Sequence, residues 1–121
     1  MSDLSGSERR NLERLLGMGS GYVLDFSDRT FGEFFDEYRV EIDAERYKAQ
    51  GTSKAKRMRA FWDIDENHIV GRVISGLINY AIEQQCFSDS NPLLIENCRK
   101  IAQRLLIDQP VAELDALTAI A

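Results

Sequence analysis

The chain has 121 residues and a net charge of −5 at pH 7. That length allows one domain with a hydrophobic core and is too short for two. Hydrophobic residues make up 44% of the chain and charged residues 29%, as in ordinary soluble globular proteins, so disorder is not expected. The acidic balance argues against a dedicated nucleic-acid-binding domain, whose usual signature is an excess of positive charge.

Targeting signals are also missing from the sequence pattern. No apolar run approaches the roughly 18 residues that a membrane span needs. The first residues lack the basic and apolar regions of a signal peptide. Two cysteines, Cys86 and Cys98, do not make the disulfide framework of a secreted protein. We therefore expect a cytoplasmic protein with no membrane partner.

The first predicted helix begins at a serine cap, Ser7, and carries an apolar face of Leu12, Leu15 and Leu16. Three alternating glycines then end it. They do not match a phosphate-binding loop, because no apolar strand precedes them and no Lys-Ser/Thr pair follows. Residues 22–26 alternate as a strand does, and they are a candidate for one short extended segment without an obvious sheet partner.

An aromatic helix is predicted next. Thr30 and Glu33 have the spacing of a capping box, and Ser27 is the competing cap. Four aromatic residues at positions i, i+3, i+4 and i+7 make one stripe: Phe31, Phe34, Phe35 and Tyr38. Such a stripe predicts a core face, and ligand stacking is the minor alternative.

Two shorter helices are predicted in the middle of the chain. Asp43 is expected to cap a helix over residues 44–50, which Gly51 ends. Ser53 is expected to cap the following helix over residues 54–62.

Long apolar periodicity marks the second half of the chain. The longest predicted helix covers residues 65–84, where Asp63 and Glu66 have capping-box spacing and where Gly71 and Gly76 would allow close packing. Asn91-Pro92 begins a helix that extends to about residue 106, and residues 111–121 fit a last short helix. These elements predict a single all-α domain over residues 1–121, a bundle of five to seven helices. The aromatic stripe and the 92–106 helix are expected to pack against the 65–84 helix.

Catalytic and metal-binding patterns are weak. His68 is the sole histidine, and it lies too far along one predicted helix from Cys86 to form a nucleophile–base pair. A pair of His68 with Cys98 stays geometrically open. The acidic residues at 63–66 fit a helix start better than a calcium loop. We predict no catalytic residues, no metal and no cofactor, with an enzyme based on Cys98 or the acidic groups as an alternative.

The strongest local signal is a run of four cations within six residues, followed by Phe61 and the only tryptophan. This basic segment supplies the predicted partner- or nucleic-acid-binding residues: Lys54, Lys56, Arg57, Arg59 and Trp62. On a helix we expect Lys56, Arg57 and Arg59 to face outward, with Trp62 partly exposed at the edge. Three interpretations stay open: a solvated face paired with acidic residues 41–45 or 63–66, a protein-binding surface, and contact with RNA or DNA phosphates.

Three stretches, residues 12–18, 21–31 and 51–62, the last continuing to residues 68–71, resemble the N-terminal domain of AbiJ-like abortive-infection proteins of bacteria. In that family the domain precedes a helical domain related to the HEPN ribonucleases. The resemblance implies a role in phage defence, with this domain sensing a trigger or regulating an effector that would follow Ala121. It implies no catalytic residues.

The predicted function is therefore a non-enzymatic sensing or protein-interaction domain of a bacterial antiviral defence protein, acting on a separate effector or partner protein. Homo-oligomers are compatible with it. One alternative is an RNA- or DNA-binding module that uses the basic helix at 54–59 for weak phosphate contacts. A second alternative is a death-fold-like adaptor domain, which rests on helix number and size alone.

Overall fold

The computed structural model describes residues 1–87 and 92–107. Its α-helices are α1 (Gly6–Leu15), α2 (Asp28–Asp36), α3 (Lys54–Ile64), α4 (Asn67–Glu83) and α5 (Pro92–Ile107). Short 3-10 turns occur at Met18–Ser20 and Glu45–Lys48. No strand forms within the described ranges, and the all-α prediction is confirmed. The predicted Asn91 cap and the predicted helix over 111–121 lie outside the described residues.

Serine caps begin the first three helices, although two of the predicted caps are wrong. The cap of α1 is Ser5 rather than Ser7, in a capping box with Glu8. The cap of α2 is the competing Ser27, whose side chain exchanges hydrogen bonds with Thr30. Thr30 accepts the Ser27 N–H at 2.9 Å and thus occupies the position usually taken by Glu or Gln. The predicted Ser53 cap of α3 is confirmed.

Between α1 and α3 the chain is less regular than predicted. Residues 22–26 are not extended, because Leu24 has a φ of 48° and the Phe26 N–H donates to the Val23 carbonyl, closing a turn. The predicted helix over 44–50 is reduced to the 3-10 turn Glu45–Lys48. Asp43 does not cap it, since the residue at its start, Ala44, makes no side-chain cap bond.

The capping box predicted at the start of α4 is also wrong. The residue before α4 is Glu66, which makes no side-chain cap bond. Asp63 lies inside α3 and instead pairs with Arg9 of α1. The Asp63 carboxylate therefore joins α1 to α3 rather than opening α4.

The core surrounds α3 and α4. Phe61 of α3 packs edge-on against Phe35 of α2, with ring centroids 5.2 Å apart, and against Tyr47 of the second 3-10 turn at 6.2 Å. All three side chains are fully buried. Aromatic pairs in this arrangement stabilise the core beyond the area they bury. They fix α2 and the irregular 40–50 region onto α3.

Both predicted close-packing glycines of α4 are confirmed. A methyl group at position 71 would lie 2.9 Å from Cβ of Leu105 and 3.0 Å from the Ala102 carbonyl oxygen, so α5 approaches α4 at Gly71. A methyl group at position 76 would overlap the hydroxyl of Tyr38, which follows α2. The same methyl group would lie 3.4 Å from the Phe34 ring of α2. As predicted, the aromatic stripe and α5 thus both pack on α4. None of the helices in the described part of the chain has the length and apolarity to span a membrane.

Candidate functional site

The basic segment occupies the first two turns of α3, and most of it points inward. Arg57 is 3% exposed and Lys54 is 9% exposed. Trp62 is fully buried at 0%, so the expectation that its edge is exposed is wrong. The expectation that Arg57 faces outward is wrong for the same reason.

Arg57 is held by partners on three sides. Its Nη2 lies 2.9 Å from Oδ1 of Asp28 in the first turn of α2, and its Nη1 pairs with Asp43. Its Nε donates to the Thr52 carbonyl at 3.1 Å. The guanidinium carbon also lies 5.2 Å from the centre of the Phe31 ring. A guanidinium with this set of bonds and a ring contact is a structural cross-link between α2, the 40–50 region and α3.

The remaining cations of the segment divide between paired and exposed. Lys54 lies 3.9 Å from Asp28 and 5.0 Å from the centre of the Tyr22 ring. Arg59 is half-buried, with its Nη2 2.7 Å from Oε1 of Glu13. Lys56 is exposed. The predicted pairing with acidic residues 41–45 is thus seen at Asp43, whereas Asp28 and Glu13 were not predicted as partners. A binding role for the basic segment stays a prediction.

The two sequence candidates for nucleophilic chemistry lie in different settings. Cys98 is fully buried in α5, and burial raises the pKa of its thiol to about 11. The thiolate, which is the reactive form, is therefore scarce at neutral pH. His68 is half-buried at the start of α4, where its Nδ1 lies 3.5 Å from a carboxylate oxygen of Glu66.

A groove of about 500 Å³ lies between α2 and α4. Half-buried aromatic rings form its wall: Phe34, Tyr38 and Tyr80. Phe26 also lines the groove, and its ring stacks on that of Tyr80, with centroids 4.6 Å apart and planes at 15° to each other. We call this cavity the aromatic–acidic groove, because Glu33, Glu37 and Glu83 also line it.

Negative charge in the groove comes from the glutamates alone at neutral pH. The pKa of Tyr80 is raised to about 12, mainly because the side chain is buried and also because its hydroxyl donates a hydrogen bond to Asp25. Burial and the negative charge of Glu37 also raise the pKa of Tyr38. Both phenols therefore stay protonated, and their rings present neutral π faces beside carboxylates.

Sequence reasoning found half of this groove. It identified the stripe containing Phe34 and Tyr38 but assigned it to the core. A signal for a rim was present, because Glu33 and Glu37 directly precede those two aromatics and repeat at i, i+4. Glu83 could not be added to the set from the sequence, because only the packing of α2 on α4 brings it there.

Comparison with protein-family models, with curated proteins and with solved structures finds no match to this chain. The resemblance to the N-terminal domain of AbiJ-like proteins therefore stays a prediction.

Proposed function

We propose that this chain is a cytoplasmic protein-interaction domain that regulates a separate effector in bacterial antiviral defence. It acts by binding rather than by catalysis. The aromatic–acidic groove is the observation that carries the binding part of this proposal. The resemblance of residues 12–18, 21–31 and 51–62 to AbiJ-like proteins motivates the defence part.

The groove has the properties of a partner-binding surface. Its volume of about 500 Å³ lies within the range of roughly 300–1,000 Å³ usual for ligand sites. Tyrosine is enriched in protein interfaces, since its ring supplies area and its hydroxyl a hydrogen bond. Phe34, Tyr38 and Tyr80 are each only half-buried, so a partner can cover more of their surface.

The arrangement favours a protein over a nucleic acid as partner. Binding of nucleic acid depends on cations that neutralise phosphates. In the basic segment, Lys54, Arg57 and Arg59 already pair with carboxylates of this chain, which leaves Lys56 exposed. The glutamates of the groove would repel phosphates.

A plaque assay tests the proposed function. The protein is expressed together with its flanking sequence and neighbouring genes, so that the separate effector is present, in bacteria that are challenged with a panel of phages. Glu37→Lys/Glu83→Lys is compared with the wild type. Glu41→Lys/Glu96→Lys is the matched control, because it makes the same change in net charge at exposed residues that do not line the groove. We expect the wild type and the control to protect and the groove variant to lose protection while keeping its circular dichroism spectrum.

Two results would count against the proposal. A wild type that protects against no phage would refute the defence role. A groove variant that protects as well as the control would show that the groove is not the regulatory surface.

A further inference from the structure

Arginine side chains in this protein repeatedly contact an aromatic ring and a carboxylate together. Arg57 lies over the Phe31 ring at 5.2 Å and pairs with Asp28 and Asp43. Arg9 lies 5.8 Å from the centre of the Trp62 ring and pairs with Asp63. The guanidinium group suits both contacts, since it is planar, stacks on rings and donates two parallel hydrogen bonds to a carboxylate.

The aromatic–acidic groove presents the same two kinds of group on the protein surface. Tyr38 and Tyr80 supply π faces, and Glu37 and Glu83 supply carboxylates. Within residues 1–87 and 92–107, no cationic side chain lies within 4.0 Å of either carboxylate. The groove therefore offers an arginine the same kinds of partner that the buried Arg57 and the half-buried Arg9 have within this chain.

Two cations of the chain lie near the groove without neutralising it. Arg29 reaches Glu33 at 4.0 Å, but both side chains are exposed, at 85% and 62%. Such a pair on one helix face contributes little. The guanidinium carbon of Arg72 lies 6.0 Å from the centre of the Tyr38 ring, at the outer limit of a cation–π contact. The groove thus keeps its negative charge.

We infer that the aromatic–acidic groove binds an arginine side chain from a basic segment of the partner protein, with the guanidinium against Tyr38 or Tyr80 and its N–H groups on Glu37 or Glu83. This inference rests on the proposed function and adds the chemistry of the partner. Charge complementarity selects a cation, and the half-buried tyrosine rings select a guanidinium over the more strongly hydrated ammonium of lysine.

Titration calorimetry with synthetic peptides tests the inference on the purified full chain. The probe is a short, otherwise neutral peptide that carries two arginines. Its companions replace the arginines by lysine or by citrulline, which keeps the shape of arginine without its charge. We expect the arginine peptide to bind about tenfold more tightly than the lysine peptide, and the citrulline peptide to show no binding.

Variants locate the site. Glu37→Gln/Glu83→Gln should weaken binding of the arginine peptide about tenfold, whereas Glu41→Gln/Glu96→Gln should leave it unchanged. Shifts in the amide NMR spectrum of the wild type upon addition of the peptide should concentrate at residues 33–38 and 76–83. This measurement needs no variant, so a misfolded variant would not prevent a decision.

Four results would overturn the inference: no binding of the arginine peptide, equal binding of the lysine peptide, an equal loss in both double variants, or NMR shifts elsewhere. Tighter binding of a short RNA than of the arginine peptide would overturn it as well. The outcome is separable from that of the plaque assay. Peptide binding without an effect on protection would refute the proposed function alone, and an effect on protection without peptide binding would refute this inference alone.

Discussion

Arg57 provides the sharpest test of whether the basic segment is structural. We expect Arg57→Met to destabilise the fold, because it keeps an apolar stem but removes the bonds to Asp28, Asp43 and the Thr52 carbonyl. The two carboxylate side chains are 81% and 70% exposed, so they return to water instead of being left buried. We therefore expect a loss of about 1–2 kcal/mol, below the cost of breaking a fully buried pair.

Removing the carboxylates should cost more than removing the cation. Asp28→Asn/Asp43→Asn leaves a guanidinium that is 3% exposed without a counter-charge. An uncompensated buried charge costs about 3 kcal/mol or more. Loss of the Asp28 charge from the first turn of α2 adds about 0.5 kcal/mol to this cost, because a negative charge there interacts favourably with the helix dipole. The structure thus predicts an order of stability, with wild type above Arg57→Met and Arg57→Met above the double asparagine variant.

Urea unfolding followed by circular dichroism measures this order by linear extrapolation to water. Lys56→Met is the matched control, because Lys56 is the exposed neighbour of Arg57 on the same helix. It should change the free energy of unfolding by less than about 0.5 kcal/mol. Equal stabilities of Arg57→Met and Lys56→Met would refute the structural role of Arg57. A double asparagine variant more stable than Arg57→Met would refute the argument that the buried guanidinium needs its counter-charges more than the exposed carboxylates need theirs.

Three further predictions concern the core. Gly71→Ala should lower the free energy of unfolding by about 1–3 kcal/mol, because the added methyl group would meet Leu105, even though alanine has the better helix propensity. Gly19→Ala is the control, since a methyl group there meets nothing within 4 Å, and it should be near neutral. Thermal melting measures both variants. Burial raises the pKa of Tyr47 to about 12, so the folded state holds that proton more tightly than the unfolded state. Stability should therefore be full below about pH 10 and fall between about pH 10 and 12. In the Tyr47→Phe variant, the free energy of unfolding, measured by urea titration, should fall less steeply with pH over this range. The same slope against pH in the variant and the wild type would contradict the prediction. Cys98 should resist iodoacetamide at neutral pH until urea unfolds the chain, as mass spectrometry of the labelled peptides would show.

The helices could be predicted because their signals are local. Apolar periodicity located α4 and α5, and the Ser53 cap located the start of α3. The errors at the caps of α1 and α2 arose where two local signals competed. Ser27 and Thr30 both fit a helix cap, and the threonine serves as the second member of the Ser27 box rather than opening its own. The serine at position 5 has a glutamate three residues later, so the box that caps α1 was also present in the sequence.

The interior position of Arg57 was harder to predict. Helix phase gave a hint, because Arg57 precedes the buried Phe61 by four residues and so lies on the same face. What allows the charge to be buried, however, is a pair of carboxylates 29 and 14 residues away in sequence. Only the tertiary packing of α2 and of the 40–50 region on α3 brings them to the guanidinium. A cluster of cations in a sequence therefore does not by itself locate a binding surface.

The buried cation and the groove are connected through α2. Asp28, which pairs with Arg57, lies in the first turn of that helix, and Phe34 in its last turn forms part of the groove wall. Arg57 itself does not line the groove. If α2 shifts when Arg57 is lost, the Phe34 and Tyr38 rings shift relative to α4, and binding in the groove weakens without any lost contact to the ligand. Weaker binding by Arg57→Met would therefore identify Arg57 as a positioning residue, whereas weaker binding by Glu37→Gln/Glu83→Gln at unchanged stability identifies the contact itself.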